Sequence, residues 1–461
     1  MQKENNKNYD YDVVIIGGGT AGCSCAWNCS QLGLRTLLVE QNSYLGGAMS
    51  TQFVVPAMKT NHKDYNTDFF EKLCEVANEQ NAQITYIDGN KGWFNPLKLP
   101  TILCNLLKNT GCDILLSTKP LFKPECIEKK YSNNLIEQRK ILSLYIDTNY
   151  IDNIAVLDKY IDKRYSDNIN EEELSKNTKI TSKYFIDATG DANLSAVVGA
   201  EFLPNELTQA LSLRFIMNNV DKKAFLDWIL ALDKDRNVTT GGIIEGYVHF
   251  STAYTWDSAQ NWALKPLFDD AVTKNILKDT DRAYFQIFSI AGEDDKIAFN
   301  CPRIISNISL NPLLEDDIEI AKKLGTEAIE RIARFCNLYF RGFENANVYK
   351  IADNLGVRES RRVKGKYILT KEDIYNAKEF ENPVAYSNYP IDIHSIEKDS
   401  SVLNYVQKTY TIPLESLIVD GFDNLFVIGR CISADFYAQA AVRIQPTCFS
   451  MGEGLAKYLH S

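Results

Sequence analysis

The chain has 461 residues, 45% of them hydrophobic, 11% aromatic and 24% charged, a globular composition long enough for two or three domains. Its net charge of −10 argues against nucleic acid or an anionic membrane as the main partner, because phosphates would be repelled. The polar stretch Met1 to Asp10 has no apolar targeting core, no apolar run approaches the ~18 residues of a membrane helix, and the eleven cysteines are scattered, so a soluble cytoplasmic protein with reduced thiols is expected.

Asp12 to Ile16 reads as a buried strand, a short β-branched run that ends in glycines. Thr20 to Leu32 follows as a helix closed by Gly33, and Arg35 to Glu40 as a second strand. Asn61 to Thr110 looks helical at both ends, around the aromatic stretch Tyr86 to Phe94. Cys112 to Leu116 is a short strand, and Lys123 to Lys183 reads as a β-meander that contains Ile141 to Ile146, with Tyr165 to Thr178 expected as a flexible loop. Tyr184 to Asp187 is a strand that runs into Ala-Thr-Gly-Asp. Glu315 to Phe340 has the pattern of a long amphipathic helix, Asn424 to Ile428 returns as a buried strand, and Thr447 to Leu459 is a final helix.

Gly17-Gly-Gly19-Thr-Ala-Gly22 is G-x-G-x-x-G set between a strand and a helix. Gly17 permits a tight turn, Gly19 lets backbone approach a pyrophosphate, and Gly22 lets the helix pack close to the strand. The helix start then favours the phosphate charge. Glu40 ends the second strand, where its carboxylate can accept from ribose hydroxyls and would repel a 2′-phosphate. A bare glycine triplet is weak evidence, but here strand, triplet, helix, strand and terminal acid occur in order, which outweighs a structural glycine turn. Three remote segments favour FAD over NAD: Leu45-Gly46-Gly47, Asn424 to Arg430, and a helix start near Pro446-Thr447 that can face the flavin N1–C2=O edge.

On these residues the chain resembles the FAD-dependent oxidoreductases of the FAD_oxidored type, within the glutathione-reductase-like flavoproteins. The motifs are Asp12 to Gly22, Leu45-Gly-Gly-Ala-Met-Ser-Thr51, Asp187-Ala-Thr-Gly-Asp-Ala192, Leu355-Gly-Val-Arg-Glu-Ser-Arg-Arg362, Tyr389-Pro-Ile-Asp-Ile-His394, Tyr410 to Leu414, Gly429 to Ala434 and Arg443-Ile-Gln-Pro-Thr-Cys448. The resemblance covers nearly the whole chain. It implies an α/β architecture, with a Rossmann-like FAD-binding domain from residues 1–60, 105–205 and 411–461 and an inserted α+β substrate or cap domain from 61–104 and 206–410. The implied cofactor contacts are Gly17, Gly19, Thr20, Ala21 and Gly22; Glu40 and Gln41; Gly46, Gly47 and Ala48; Thr189, Gly190 and Asp191; Gly429 and Arg430; and Pro446, Thr447 and Cys448. Relatives often carry a histidine where this chain has Phe436, and Tyr437 and Gln439 are also atypical. Substrate or proton handling is where this departure would tell.

Asp392 and His394 are spaced i, i+2, so on a strand they share a face and form an acid–base pair. The plain alternative is a turn cap and a structural hydrogen bond. Beside Glu359, Arg358 and Arg362 would share a helix face with Arg361 nearby, and the cluster could clamp a carboxylate or neutralise an FAD phosphate, with a structural salt bridge as the alternative. Arg430 and Arg443 are further anion contacts. The catalytic candidates are therefore His394, Asp392 and Arg358. His249 reads as a packed core histidine, His62 and His460 as solvated, and Cys23, Cys25 and Cys29 as small-residue packing. No C-x-x-C occurs, so no metal is expected, and no Cys-x4-Cys follows Gly47, against a disulfide reductase. Cys431 and Cys448 read as packing residues.

Ala48 to Gln52 lacks the histidine that links flavin covalently in fumarate-reductase-like proteins, so the FAD is expected to be non-covalent. A second glycine-rich nucleotide motif is also missing. The expectation is an FAD-dependent oxidoreductase, a dehydrogenase or oxidase rather than a reductase, moving a hydride between a small organic substrate and flavin N5. The alternatives are an electron-transfer flavin subunit of a larger redox complex, a flavin-dependent monooxygenase, or a flavin protein without turnover. Homodimer formation and a redox partner protein stay open.

Overall fold

The computed structural model describes residues 9–58, 67–121, 127–132, 135–146, 178–205, 207–234, 238–254, 262–306, 308–394, 402–404 and 408–461. The expected loop Tyr165 to Thr178 lies outside these residues except for its last position, as does His62.

β1 (Tyr11–Ile16), α1 (Thr20–Gln31) and β2 (Thr36–Val39) form the expected βαβ start. β1 lies between β2 and a later strand, parallel to both. Val13, Val14 and Ile15 are fully buried, which is why the run has no polar alternation. Two helices, α2 (Asp68–Glu79) and α3 (Leu99–Lys108), precede β3 (Asp113–Leu115), which pairs parallel with β2. Then come β4 (Pro120–Leu121), β5 (Ser143–Ile146) and the ten-residue β6 (Thr178–Asp187). The expected run Ile141 to Ile146 is broken at Leu142, since Ile141 ends a separate strand, Leu135–Ile141.

β6 serves two pairings. Its first half pairs antiparallel with β5, and its second half, Phe185 to Asp187, lies parallel between β1 and a strand from near the C-terminus. Residues far apart in the chain thus meet in one seven-stranded sheet.

A second, six-stranded sheet follows. Its strands are β7 (Phe215–Asn218), β8 (Thr239–Ile244), β9 (Tyr247–Tyr254), β10 (Phe285–Ser289), β11 (Ile297–Phe299) and β12 (Asn347–Ile351), in the order β8-β9-β10-β11-β7-β12. It has its own aromatic core, in which the cross-strand partners Phe215 and Phe299 stack at 4.2 Å. A 25-residue helix, α4 (Glu315–Tyr339), opens with three acidic residues and buries Ala321, Gly325, Ala328, Ile329 and Ile332 at helical spacing.

The chain returns to the first sheet through β13 (Leu425–Val427), followed by α5 (Phe436–Val442) and α6 (Gln445–His460). α6 packs along α1, and a Cβ on Gly452 would lie 2.6 Å from Ala21 O. One expectation fails here: Arg358, Arg361 and Arg362 are not on a helix. The backbone from 357 to 362 is irregular, without helical hydrogen bonding, and each arginine is held by a different set of carbonyls.

Candidate functional site

A cavity of about 580 Å³ opens at the C-terminal ends of the parallel strands, a size typical of ligand pockets. Its walls combine Gly17 and Gly19 after β1, Glu40 and Gln41 after β2, Thr118 and Lys119 after β3, Ala188, Thr189 and Asp191 after β6, and Arg430 after β13. Gly47 comes from the second glycine segment, and a Cβ there would meet Gly19 Cα at 2.8 Å, so the two loops touch through backbone alone. Gly22 is tighter still: its Cβ would lie 1.9 Å from Gly17 O. α1 starts at this wall without a side-chain cap and without an acid in its first turn, leaving its positive end to a ligand.

Glu40 is buried, and its Oε2 accepts the Gly18 N–H at 2.6 Å while Oε1 accepts the Asn42 N–H at 2.8 Å. An ionised carboxylate has roughly four lone-pair sites. Glu40 therefore braces the glycine loop and keeps capacity for a hydroxyl. Asp187 shapes the opposite wall. Its Oδ1 accepts from Thr189 Oγ1 at 2.7 Å and its Oδ2 from Ser195 N–H and Oγ at 2.8 Å. Arg430 donates to Asp191 Oδ1 at 2.6 Å and to Val357 O at 2.7 Å, while Arg361 donates to Asp191 O at 3.1 Å.

The segment from Asn354 to Arg361 links this cavity to a second group of polar residues beside the second sheet. Asn354, Leu355 and Val357 line the cavity, whereas Arg358 turns away and is buried. It donates to Ala210 O at 2.8 Å and to Ser212 Oγ at 3.3 Å. His394 lies here with Nε2 at 3.2 Å from Asp392 Oδ2 and Nδ1 at 2.9 Å from Arg303 Nη2. An arginine only donates, so Nδ1 accepts and the proton sits on Nε2, toward Asp392. Burial, then the Arg358 charge, pushes the imidazole down to about 3 against the pull of Asp392. Burial works against ionisation of Asp392, but His394, Arg443 and Arg358 together hold its carboxyl below the usual range. Arg443 donates to Asp392 O at 3.1 Å and to Gln209 Oε1 at 3.3 Å. The Arg303 guanidinium lies 4.8 Å from the Tyr284 ring centre.

A family model described as FAD dependent oxidoreductase matches residues 12–458. The chain belongs to this family. FAD is its cofactor. Three curated relatives of this FAD-dependent oxidoreductase match over short stretches. Thiamine thiazole synthase of Aeropyrum pernix is 50% identical over 38 residues, 8% of this chain and 14% of that protein. Nicotine dehydrogenase of Pseudomonas putida is 54% identical over 43 residues, 9% of each chain. Dihydrolipoyl dehydrogenase of Buchnera aphidicola is 43% identical over 97 residues, 21% of this chain and 20% of that one. Each match spans a fifth or less of the relative's own length. Among solved structures, a geranylgeranyl bacteriochlorophyll reductase-like protein of Thermoplasma acidophilum aligns over 98% of this chain and 78% of its own, with a TM-score of 0.46 and 12% identity.

The residues of the cavity fit FAD. The oxidoreductase presents a glycine-only backbone approach, an uncapped helix start and a braced carboxylate on one wall, as a dinucleotide requires. Of the contacts expected from sequence, Gly17, Gly19, Glu40, Gln41, Gly47, Thr189, Asp191 and Arg430 line the cavity. Thr20, Ala21 and Gly22 form the first turn of α1, Gly46 and Ala48 flank Gly47, and Gly190 lies under the Arg430 guanidinium. Gly429 packs against Ala21. Pro446, Thr447 and Cys448 are not on the cavity wall. They form the buried first turn of α6, with Thr447 Oγ1 at 3.1 Å from Ser387 Oγ and Cys448 Sγ at 3.4 Å from Arg443 O.

Asp392 and His394 meet as the i, i+2 spacing predicts, and Arg358 and Arg443 join them, whereas Arg361 belongs to the cavity and Arg362 to Ala434 O. Sequence reasoning did not reach Thr118, Lys119, Gln209, Arg214, Tyr284 or Arg303. A signal for two of them exists: Arg214 sits in Leu211-Ser-Leu-Arg-Phe-Ile-Met217 and Arg303 in Cys301-Pro-Arg-Ile-Ile305, each a cation inside an apolar run. His249 is fully buried, 3.0 Å from Ser289 Oγ, and burial followed by Lys222 pushes it down to about 4. Gln439, one of the atypical residues, donates to Arg358 O at 3.0 Å and Arg430 O at 3.3 Å, tying the two regions together.

Proposed function

We propose that this chain is an oxidoreductase that transfers a hydride from a small organic substrate to N5 of a non-covalently held flavin, acting as a dehydrogenase or oxidase. The observation that carries this reading is the junction just described: one short segment, Asn354 to Arg361, passes from a dinucleotide-shaped cavity to a buried His–Asp pair ringed by arginines. Residues 1–60, 105–205 and 411–461 would form a glutathione-reductase-like FAD domain, and 61–104 with 206–410 the substrate-facing insertion.

Gly17, Gly19 and the start of α1 would hold the pyrophosphate, Glu40 the ribose, and Asp191 with Arg430 the opposite flank. The start of α6, with no side-chain cap and no acid in its first turn, would place positive potential at the flavin pyrimidine edge. Bound FAD supplies the two-electron chemistry. The protein orients the substrate and handles its proton. Arg358 is the anion contact of the proposed trio. Asp392 fixes His394 with its proton on Nε2. Arg303 occupies Nδ1, so His394 takes a substrate proton there only once Arg303 has turned to an anion instead.

The test is an anaerobic titration of purified protein with small metabolites, followed by flavin absorbance. Bleaching by one compound establishes the half-reaction and begins to identify its substrate. Failure to bind FAD after reconstitution sinks the reading. Turnover unchanged in His394→Asn with FAD retained removes His394 from the catalytic trio.

A further inference from the structure

We infer that the buried arginines beside the second sheet form a recognition site for a small dicarboxylate, and that such a compound is the substrate of the reaction proposed above, on whose flavin reading this rests. Four guanidiniums converge here, from Arg214, Arg303, Arg358 and Arg443. Arg214, Arg303 and Arg358 are each 5–6% exposed, and Arg443 has a side chain 14% exposed. Burial lowers all four pKa values, Arg214 to about 10, and none of them loses its charge at neutral pH. Asp392 is the carboxylate facing them among the described residues, and the two neighbouring phenols, Tyr284 and Tyr389, are kept neutral by burial. His394 is neutral as well. Counting only Arg214, Arg358 and Arg443 against Asp392, the described residues carry two positive charges in excess.

Such an imbalance is expensive inside a protein. A buried ion without a counter-charge is strongly destabilising, because its hydration is lost and nothing replaces it. Nearby buried acids do not relieve it: Asp281 is taken by Arg331 at 2.6 Å, and Glu359 faces Arg362 at 3.7 Å. The cavity does not use these arginines either, because its own cations are Arg361 and Arg430, with Lys119 and Lys322 on the wall. Among the described residues, the excess on Arg214, Arg358 and Arg443 is left for a ligand.

The unused hydrogen bonds point the same way. Arg214 Nη1, Arg443 Nε and Gln209 Nε2 are buried atoms without a partner. All three are donors. Gln209 is already oriented, since its Oε1 accepts from the His394 N–H at 3.1 Å and from Arg443 Nη2 at 3.3 Å. A site with spare donors is complementary to an acceptor-only group, and planar guanidiniums match carboxylate geometry. The Arg214 fork is held by Asn300 through its Nε, and a Cβ on Gly356 would lie 2.3 Å from Nη1, so glycine makes room for this guanidinium. One negative charge would leave half of the excess unmatched. Two carboxylates on one small molecule match it.

The experiment uses FAD-loaded protein with malonate, succinate and citrate as probes and their methyl esters as controls. Two signals are read: the flavin difference spectrum and the melting temperature. At least one free acid should give a saturable spectral change and raise the melting temperature, and its ester should give neither. Arg214→Gln should weaken that binding about tenfold or more while retaining flavin. If Arg214→Gln does not fold, Arg303→Lys, which keeps charge but loses the planar fork, should weaken binding in the same direction. Acids that neither bind nor stabilise, esters that bind equally well, or variants with unchanged affinity each overturn the proposal. Bleaching by a neutral compound with which the acids do not compete overturns the carboxylate class and leaves the flavoenzyme reading standing. Protein that takes up no FAD overturns that reading instead, and the melting response to the acids then decides the anion site alone.

Discussion

The cavity at the first sheet and the arginine cluster at the second both favour negative charge, but by different physical means. At the cavity the favourable groups are backbone N–H dipoles and an uncapped helix end, brought close because glycines leave no side chain in the way. The N–H groups are neutral, and the cavity's cations, Arg361, Arg430, Lys119 and Lys322, stand with them at an opening that water reaches when no ligand is bound. At the cluster the favourable groups are full charges buried among aromatic residues, with one internal carboxylate among the described residues to offset them. The first region should therefore be limited by shape and the second by charge. Mutations that add atoms should damage the cavity, and mutations that alter charge should damage the cluster.

The largest expected effect is steric. Gly22→Val should abolish FAD retention, because even a methyl group would lie 1.9 Å from Gly17 O, with no flexible side chain to yield. The flavin-to-protein absorbance ratio measures this. Gly33→Ala is the control: it has a left-handed φ of +83° but no atom within 4 Å of its Cβ, so it should cost about 1 kcal/mol and leave FAD content unchanged. Equal flavin loss in both variants would show that helix stability, not close approach, governs the cavity.

Next comes the internal carboxylate. Asp392→Asn keeps the shape of the cluster and removes its one compensating charge, so it should destabilise the protein by about 3–5 kcal/mol, with malonate or citrate restoring part of the loss. Thermal melting with and without the acid checks both points, and a neutral outcome would show that the arginines are not charge-limited.

Glu40→Gln is smaller. It removes a charged acceptor from the glycine loop and the ribose, and should weaken FAD binding about tenfold while the melting response to carboxylates is unchanged. A fluorescence titration of apoprotein with FAD measures it, and a change in the carboxylate response would mean that the two regions are not separable.

The smallest effect is the acid sensitivity of the cluster. Folded His394 is pushed down to about 3 from an ordinary value of 6.5. Between those values the unfolded chain binds a proton that the folded one does not, so stability is complete above 6.5 and falls as the pH drops toward 3. His394→Asn should flatten this part of the pH–stability curve. His249, pushed down to about 4, adds a slope of the same sign and should persist in that variant. An unchanged curve would show that His394 titrates normally.

Much of the first region was legible in the residue order, since its logic is local. The strand, the glycine triplet, the helix and the terminal acid lie within thirty residues, and each step has a backbone reason: a turn, a close approach, an anion-binding helix start. The Asp392–His394 pair was legible too, because i, i+2 on an extended strand leaves little freedom. The arginine motif misled because its spacing also suits a helix, whereas tertiary carbonyls hold residues 357 to 362 in irregular backbone and send Arg358, Arg361 and Arg362 to separate partners.

The sequence by itself determined the nucleotide wall, the family and therefore the cofactor, because short-range glycine chemistry and a continuous set of motifs carry that information. Only the tertiary structure decided which charges share a site. Arg214, Arg303, Arg358, Asp392 and Arg443 span more than two hundred residues, and their charges add up only where an antiparallel sheet, a strand end and a helix turn bring them into one low-dielectric volume.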